Sequence, residues 1–289
     1  MHIGDDILDA VRSNGYAVME GFLTADELAA ARAGVFDEFP TPDDYFADPD
    51  QFRNLVKHQF AGLRLGPFTS WPLTRLTFHP DLVDAAERFC GTTDLELYKI
   101  ELWAKYSGAV DYDQAHHRDY GNHSLVVPRR DLRWPQLTVF ILLSDVTIDD
   151  GPTKVIPRRV GDQIPLVPYN LPAGQLNDQE VAITGRAGSI LLYTTDVIHR
   201  GSSMTGTNTS RFVLLADYAA RGNPWMGKMS WPSLANRPAF TTLMINATPR
   251  ERDLFGFPPA GHDYWNEQTL ADVAARWEGI DLSPYRTAK

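Results

Sequence analysis

Cysteine is almost absent: Cys90 stands alone among 289 residues, so no disulfide can close within the chain. Its setting, "DLVDAAERFCG", predicts the inner side of a short helix. Long apolar runs are missing too. The longest, "LTVFILL", is far short of the roughly 20 residues needed to span a bilayer. The opening "MHIGDDILDA" lacks the basic start and apolar stretch of a secretion signal, so a cytoplasmic protein without membrane contact is expected. Positive charge is scarce, 27 Lys and Arg against 37 Asp and Glu for a net charge of -10. Such a surface repels phosphate backbones and anionic lipid, which argues against nucleic-acid partners. No repeat, low-complexity tract or interdomain linker is visible.

What is present suits a large buried core: 43% of residues are hydrophobic and 22% charged, the balance of a globular protein. One decorated domain over 1–289 is expected, with a β core at about 95–220, supporting elements at 1–94 and a C-terminal helical extension or lid at 221–289. In the N-terminal part, "GFLTADELAAARAGVFDEF" carries Thr24 as N-cap and Glu27 three residues on, a capping box, and predicts a helix to about Phe39. "TPDDYFADPDQFRN" reads as a loop, and "HPDLVDAAERFCG" as a helix closed by Gly91. From Leu95 to Tyr218 the texture turns to β: "LELYKIELWAKYSG", "QLTVFILLSDV", "TKVIP", "GSILLYTTDVIHRG" and "RFVLLADYAA" are strand-like and separated by turn residues, which suggests a sandwich or barrel. Helix returns in "ATPRERDLFG", with Thr248 as N-cap, and in "NEQTLADVAARWEG".

In "QAHHRDYG", Gln114 to Gly121, an extended backbone alternates faces, so His117 and Asp119 point one way and His116 and Arg118 the other. His117 is the better ligand candidate. An imidazole and a carboxylate on one face can take adjacent positions on a divalent metal, and a third ligand must come from elsewhere. Of the eight histidines, only His199 ends a convincing β run. Arg211 opens the next strand, twelve residues later, and a hairpin between the two would bring its guanidinium close. Taken singly, each feature has a plain structural reading: a hydrogen-bonded histidine, a salt-bridged arginine. Their order is what carries information.

That order, with "HRD" at 117–119, "DDGPTKVIP" at 149–157, "AGSILLYTTDVIHRGSSMTGTNTSR" at 187–211 and "GYAVMEGFLTADEL" at 15–28, resembles the phytanoyl-CoA dioxygenase-like branch of the iron(II)- and 2-oxoglutarate-dependent oxygenases over about residues 10–220. The resemblance implies a mainly β fold, a double-stranded β-helix (jelly-roll barrel) with N- and C-terminal helical additions. It implies His117, Asp119 and His199 as ligands of Fe(II), and Arg211 as partner of the distal carboxylate of 2-oxoglutarate, with Thr138 placing a hydroxyl on the same carboxylate. O2 is then the second co-substrate, and a C–H bond of a small molecule is hydroxylated with release of succinate and CO2. An intact carboxylate at Asp119, where related halogenases have a small residue, favours hydroxylation; desaturation, ring closure and epimerisation stay open. The substrate class is a natural-product intermediate, an amino acid or an acyl derivative.

The chain departs from the family after "VIP", where Arg158, Arg159 and Val160 replace the usual Gly-Ser-His and leave the rim of the mouth undefined. Arg118, Arg158, Arg159 and Arg200 read as a basic rim selecting an anionic substrate or, more simply, as surface salt bridges. His123 reads as an exposed loop histidine or a substrate contact, and Tyr120 as a substrate or structural aromatic. The tail carrying Trp225, Trp231 and Trp265 reads as a lid or a dimer surface. Two competing functions share the site: a zinc hydrolase with a metal-bound water, and a jelly-roll binding module whose histidines are structural.

Overall fold

The computed structural model describes residues 2–55, 61–109, 113–123, 126–129, 131, 133–223 and 231–286. Among the described residues, nine strands form two antiparallel sheets: β1 (Tyr16–Met19), β2 (Leu63–Leu65), β3 (Leu95–Tyr106), β4 (Gln136–Leu142), β5 (Thr153–Val155), β6 (Val181–Ala182), β7 (Ile190–Tyr193), β8 (His199–Gly201) and β9 (Ser210–Ala220). The major sheet has the order β1-β7-β4-β9-β3-β2 and the minor sheet β6-β5-β8. They face each other across a cavity of about 870 Å³ walled by both. This is the double-stranded β-helix.

The outer face of the major sheet is covered by helices α1 (Asp5–Asn14), α2 (Ala25–Glu38), α3 (Pro42–Ala47), α4 (Trp71–Leu76) and α5 (Pro80–Cys90). The capping box of Thr24 and Glu27 opens α2, and Gly91, in the left-handed region at φ 70°, closes α5. Aromatic rings join the layers: Phe36 meets Phe212 edge-on at 5.7 Å, and Tyr45 stacks on Tyr106 at 4.1 Å. Such pairs are worth about 0.5 to 1.5 kcal/mol beyond their burial. Tyr45 belongs to α3, in the stretch expected to be a loop. The proline there sits at the start of the helix, where its missing N–H costs nothing, and Thr41 accepts the Asp44 N–H as N-cap.

β3 explains how the cavity is lined. Leu95 and Leu97 face the helices, as do Ile100, Leu102, Ala104 and Tyr106, so the parity switches from odd to even between them. The switch is a bulge: Leu97 pairs with Tyr218 and Lys99 with Asp217, leaving Tyr98 as the extra residue. Tyr98, Lys99, Glu101, Trp103 and Lys105 therefore all line the cavity.

Two strand expectations are corrected. "GSILLYTTDVIHRG" is not one strand: β7 ends at Tyr193 in the major sheet and β8 begins at His199 in the minor sheet. Nor do β8 and β9 form a hairpin, since β8 pairs with β5 while β9 pairs with β3 and β4. Eight residues separate them, enough to cross between sheets.

Two one-turn helices, α6 (Tyr120–His123) and α7 (Arg158–Gly161), lie between strands, and α8 (Pro238–Asn246), α9 (Pro249–Asp253) and α10 (Glu267–Arg276) follow β9. Trp231 is buried against Phe240 and Phe255 and donates to the Leu97 carbonyl at 3.1 Å, and Trp265 packs on Phe257 and Tyr285. Among the described residues, nothing from 231–286 reaches the cavity wall. Trp231 and Trp265 thus tie that segment to the scaffold, while α10 keeps an exposed face; Trp225 lies outside the described residues. No described helix is long and apolar enough to cross a membrane.

Candidate functional site

His117 and His199 are brought together by backbone first. Each donates its N–H to the other's carbonyl at 2.9 Å, an isolated antiparallel bridge that sets the ring centroids 4.5 Å apart. Asp119, two residues on, points to the same side. Its Oδ1 lies 3.6 Å from His117 Nε2 and 3.4 Å from His199 Nε2. One donor atom from each of the three falls within 4.8 Å of the others.

The tautomers suit a metal. His117 Nδ1 is 2.9 Å from the Ala115 carbonyl and His199 Nδ1 is 3.0 Å from that of Val197. A carbonyl only accepts, so each Nδ1 carries the proton and each Nε2 offers a lone pair to the shared centre. Tyr193 donates to Asp119 Oδ2 at 2.8 Å, which leaves Oδ1 facing the two Nε2 atoms. Burial and the adjacent Asp119 charge hold the Tyr193 phenol well above its ordinary pKa, so it stays a donor. Burial would raise the Asp119 pKa, but the neighbouring His199, His123 and Lys99 outweigh it and keep the carboxyl well below the usual range.

The turn carrying His199 is clamped from two sides. Arg118 is buried and gives its N–H groups to four carbonyls: Asp196 at 3.0 Å, Pro165 at 2.9 Å, Gly161 at 3.0 Å and Ile164 at 3.2 Å. Arg158, also buried, forms a two-pronged bridge to Asp196, at 2.7 and 3.1 Å, and bonds Thr194 at 2.8 Å. Arg200 is bound by Glu180 at 2.7 and 2.9 Å, where Lys154, at 2.6 Å, and His116, at 3.2 Å, also converge. Three of the four arginines expected at the surface are therefore internal tethers of the two histidine segments; only Arg159 is exposed. The "VIP" departure has its reason here, since Arg158 is the clamp.

His116 is fully buried on the opposite side from His117. We expect His116→Ala to retain iron and His117→Ala to lose it, measured as metal content after loading and desalting. Iron retained by both would refute the face assignment.

Arg211 lines the cavity, where its guanidinium donates to the Gly151 carbonyl. Gly151 has φ 61°, and a Cβ there would meet the Ser202 carbonyl at 2.7 Å, so the turn requires glycine. Thr138 is elsewhere. It is buried, donates to Asp217 and is not on the cavity wall. The reason is register: Thr138 sits directly opposite Asp217, a buried carboxylate that takes the hydroxyl. Tyr120 is structural, bonded to the Leu166 carbonyl and packed edge-on to Tyr169. His123 is not exposed; it lines the cavity, 3.0 Å from the Tyr98 hydroxyl and 3.1 Å from Lys99.

Asp217 is the least comfortable group in the barrel. Burial pushes its pKa up to about 7 against the lowering effect of Lys99. A carboxyl raised from 3.8 in the unfolded chain stabilises the fold fully below about pH 4, and this contribution is lost as pH rises through about 7. Three units correspond to on the order of 4 kcal/mol. Asp217→Asn should remove this dependence, so wild type loses stability relative to the variant between pH 5 and 8 in thermal melts. Parallel curves would refute the assignment.

The phytanoyl-CoA dioxygenase (PhyH) family matches residues 11–213. The chain belongs to that family of iron(II)- and 2-oxoglutarate-dependent oxygenases. Among solved structures, EctD from S. alaskensis in its apoform superposes with TM-score 0.57 at 21% identity, over 79% of this chain and 82% of that one. SnoN, a non-heme alpha ketoglutarate dependent epimerase from nogalamycin biosynthesis, gives 0.54 at 20% identity, over 74% and 80%. The carbocyclase SnoK from the same biosynthesis gives 0.53 at 18%, over 81% and 90%. At these identities the likeness is one of fold. The curated proteins contain no match.

Proposed function

We propose that this family member hydroxylates an unactivated C–H bond of a small molecule, using Fe(II), 2-oxoglutarate and O2 and releasing succinate and CO2. The observation carrying the proposal is the convergence of His117 Nε2, His199 Nε2 and Asp119 Oδ1 in one cavity with Arg211. Two neutral imidazoles and one carboxylate would suit a divalent iron, with positions to spare for a co-substrate. When bound, iron supplies O2 activation coupled to decarboxylation of the 2-oxo acid.

The protein's own groups do the rest. Tyr193 holds Asp119 to one ligand oxygen, so the carboxylate does not close a further position. The 2-oxo acid is a dianion that makes the loaded centre net negative, and Arg211 offsets this through a forked pairing with the distal carboxylate. We assign that role to Arg211 alone, because Thr138 is engaged by Asp217. The Arg118 and Arg158 clamps fix the turn that aims His199.

The test is anaerobic addition of 2-oxoglutarate to iron(II)-loaded protein, followed by succinate formation in air with ascorbate. A metal-to-ligand charge-transfer band and 2-oxoglutarate-dependent succinate support the proposal. No band, with hydrolytic activity on zinc loading, would replace it with the hydrolase reading; no metal bound at all would leave a binding module.

A further inference from the structure

We infer that Tyr98, Lys99 and His123 form a second recognition site in the cavity, which takes a neutral carbonyl or hydroxyl oxygen of a ring-bearing substrate. Its use in catalysis rests on the oxygenase reading; the site itself rests on hydrogen-bond accounting. The bulge in β3 is what sets Tyr98 and Lys99 side by side on the cavity wall rather than on opposite faces.

Lys99 can only donate. Its ammonium lies 3.1 Å from His123 Nε2, so that nitrogen accepts and the ring proton is on Nδ1. Nδ1 then donates to the Tyr98 oxygen at 3.0 Å, which also receives Gln136 Nε2 at 3.1 Å. With both acceptor positions of Tyr98 filled, its own O–H is unspent among the described residues. Lys99 gives a second N–H to Glu101 at 3.1 Å, while Asp217, at 3.9 Å, is beyond hydrogen-bond reach. Among the described residues, one ammonium N–H and, with the Gln136 amide donating to Tyr98, one phenolic O–H thus have no acceptor on the cavity wall, where Tyr98 is buried and Lys99 partly exposed. Buried donors left unmade are costly, and one ligand oxygen satisfies both.

The charges decide which oxygen. Glu101 already offsets Lys99, and Asp119 stands near, so an added carboxylate meets repulsion. An ammonium would bring donors to donors. A neutral carbonyl or hydroxyl fits both conditions. Trp103 and Phe140 on the same wall offer ring faces, and Trp103 has its N–H engaged by Glu101 at 2.9 Å.

Position fits a substrate rather than the co-substrate. Tyr193, Thr138, Asp217 and Lys99 are successive partners across β7, β4, β9 and β3, and Tyr193 bonds Asp119. The site therefore adjoins the metal-binding carboxylate. Arg211 is six residues along β9 from Asp217, about 20 Å of strand, so the two anchors mark opposite ends of the cavity.

The probes are cyclohexanone, cyclohexanol, cyclohexanecarboxylate and cyclohexylammonium, titrated by saturation-transfer NMR into protein loaded with iron(II) and 2-oxoglutarate under nitrogen. The ketone and alcohol should bind tighter than either ion. Tyr98→Phe, which keeps the ring and its packing, should weaken ketone binding by about three- to tenfold, and Lys99→Met should weaken it further. Preference for the carboxylate or the ammonium, no preference at all, or an unchanged ketone constant in Tyr98→Phe would overturn the inference. The charge-transfer band of the wild-type protein separates the two failures: a missing band sinks the oxygenase reading, while a normal band without ketone selectivity sinks only the oxygen site.

Discussion

Arg211→Ala should weaken 2-oxoglutarate binding by about thirtyfold to several thousandfold, the equivalent of about 2 to 5 kcal/mol at roughly 1.4 kcal/mol per decade. The size follows from desolvation. Removing one partner of a buried charge pair leaves the other, here the distal carboxylate, without water or counter-ion. Arg211 is half-buried and anchored by the Gly151 carbonyl, so its fork is held in place before the diacid arrives. Arg211→Lys keeps the charge and loses the fork, and an intermediate defect is expected. Iron affinity should barely move, because the guanidinium is not a ligand. Anaerobic titration of the charge-transfer band measures both constants. An unchanged 2-oxoglutarate constant in the alanine variant would remove Arg211 from the site.

The sequence made the convergence of the candidate ligands partly legible because its rule is local. Alternation in an extended segment separates His117 and Asp119 from His116 and Arg118, and the structure keeps that division: His116 turns to Glu180 while Asp119 turns to His199. The route by which His199 arrives was not legible. A run of strand-forming residues from Ile190 to His199 hides the turn at Thr194–Ile198, and only the clamps of Arg118 and Arg158, made across the fold, show where the chain changes sheet. The inward turn of those arginines is hidden for a related reason: Arg118 is satisfied by main-chain carbonyls, and the two-pronged partner of Arg158, Asp196, lies far along the sequence.

The cavity wall was missed although β3 carried a sign of it. In "LELYKIELWAKY" the apolar alternation slips by one residue between Leu97 and Ile100, which marks a bulge. Charges on alternate positions of a strand ordinarily face water. Here helices cover the other face, so Lys99, Glu101 and Lys105 had only the interior to face, and recognising that requires knowing both layers.

Asp119→Gly should abolish hydroxylation and cost more than about a hundredfold in iron affinity, since groups that merely support ligands are worth 10- to 100-fold. Three effects combine. The only anionic ligand is lost, Tyr193 loses its acceptor in a buried position, and the two imidazoles hold a dication without compensation. The last effect leaves both a charge and a space for an anion. Chloride should therefore shift the charge-transfer band of the anaerobic iron and 2-oxoglutarate complex in Asp119→Gly and leave the wild-type band unmoved. Asp119→Ala, without the added backbone freedom of glycine, checks that the effect is chemical rather than a loosened loop. Full activity in either variant would mean that the carboxylate is not a ligand, and the convergence of His117 and His199 on Oδ1 would then need another explanation.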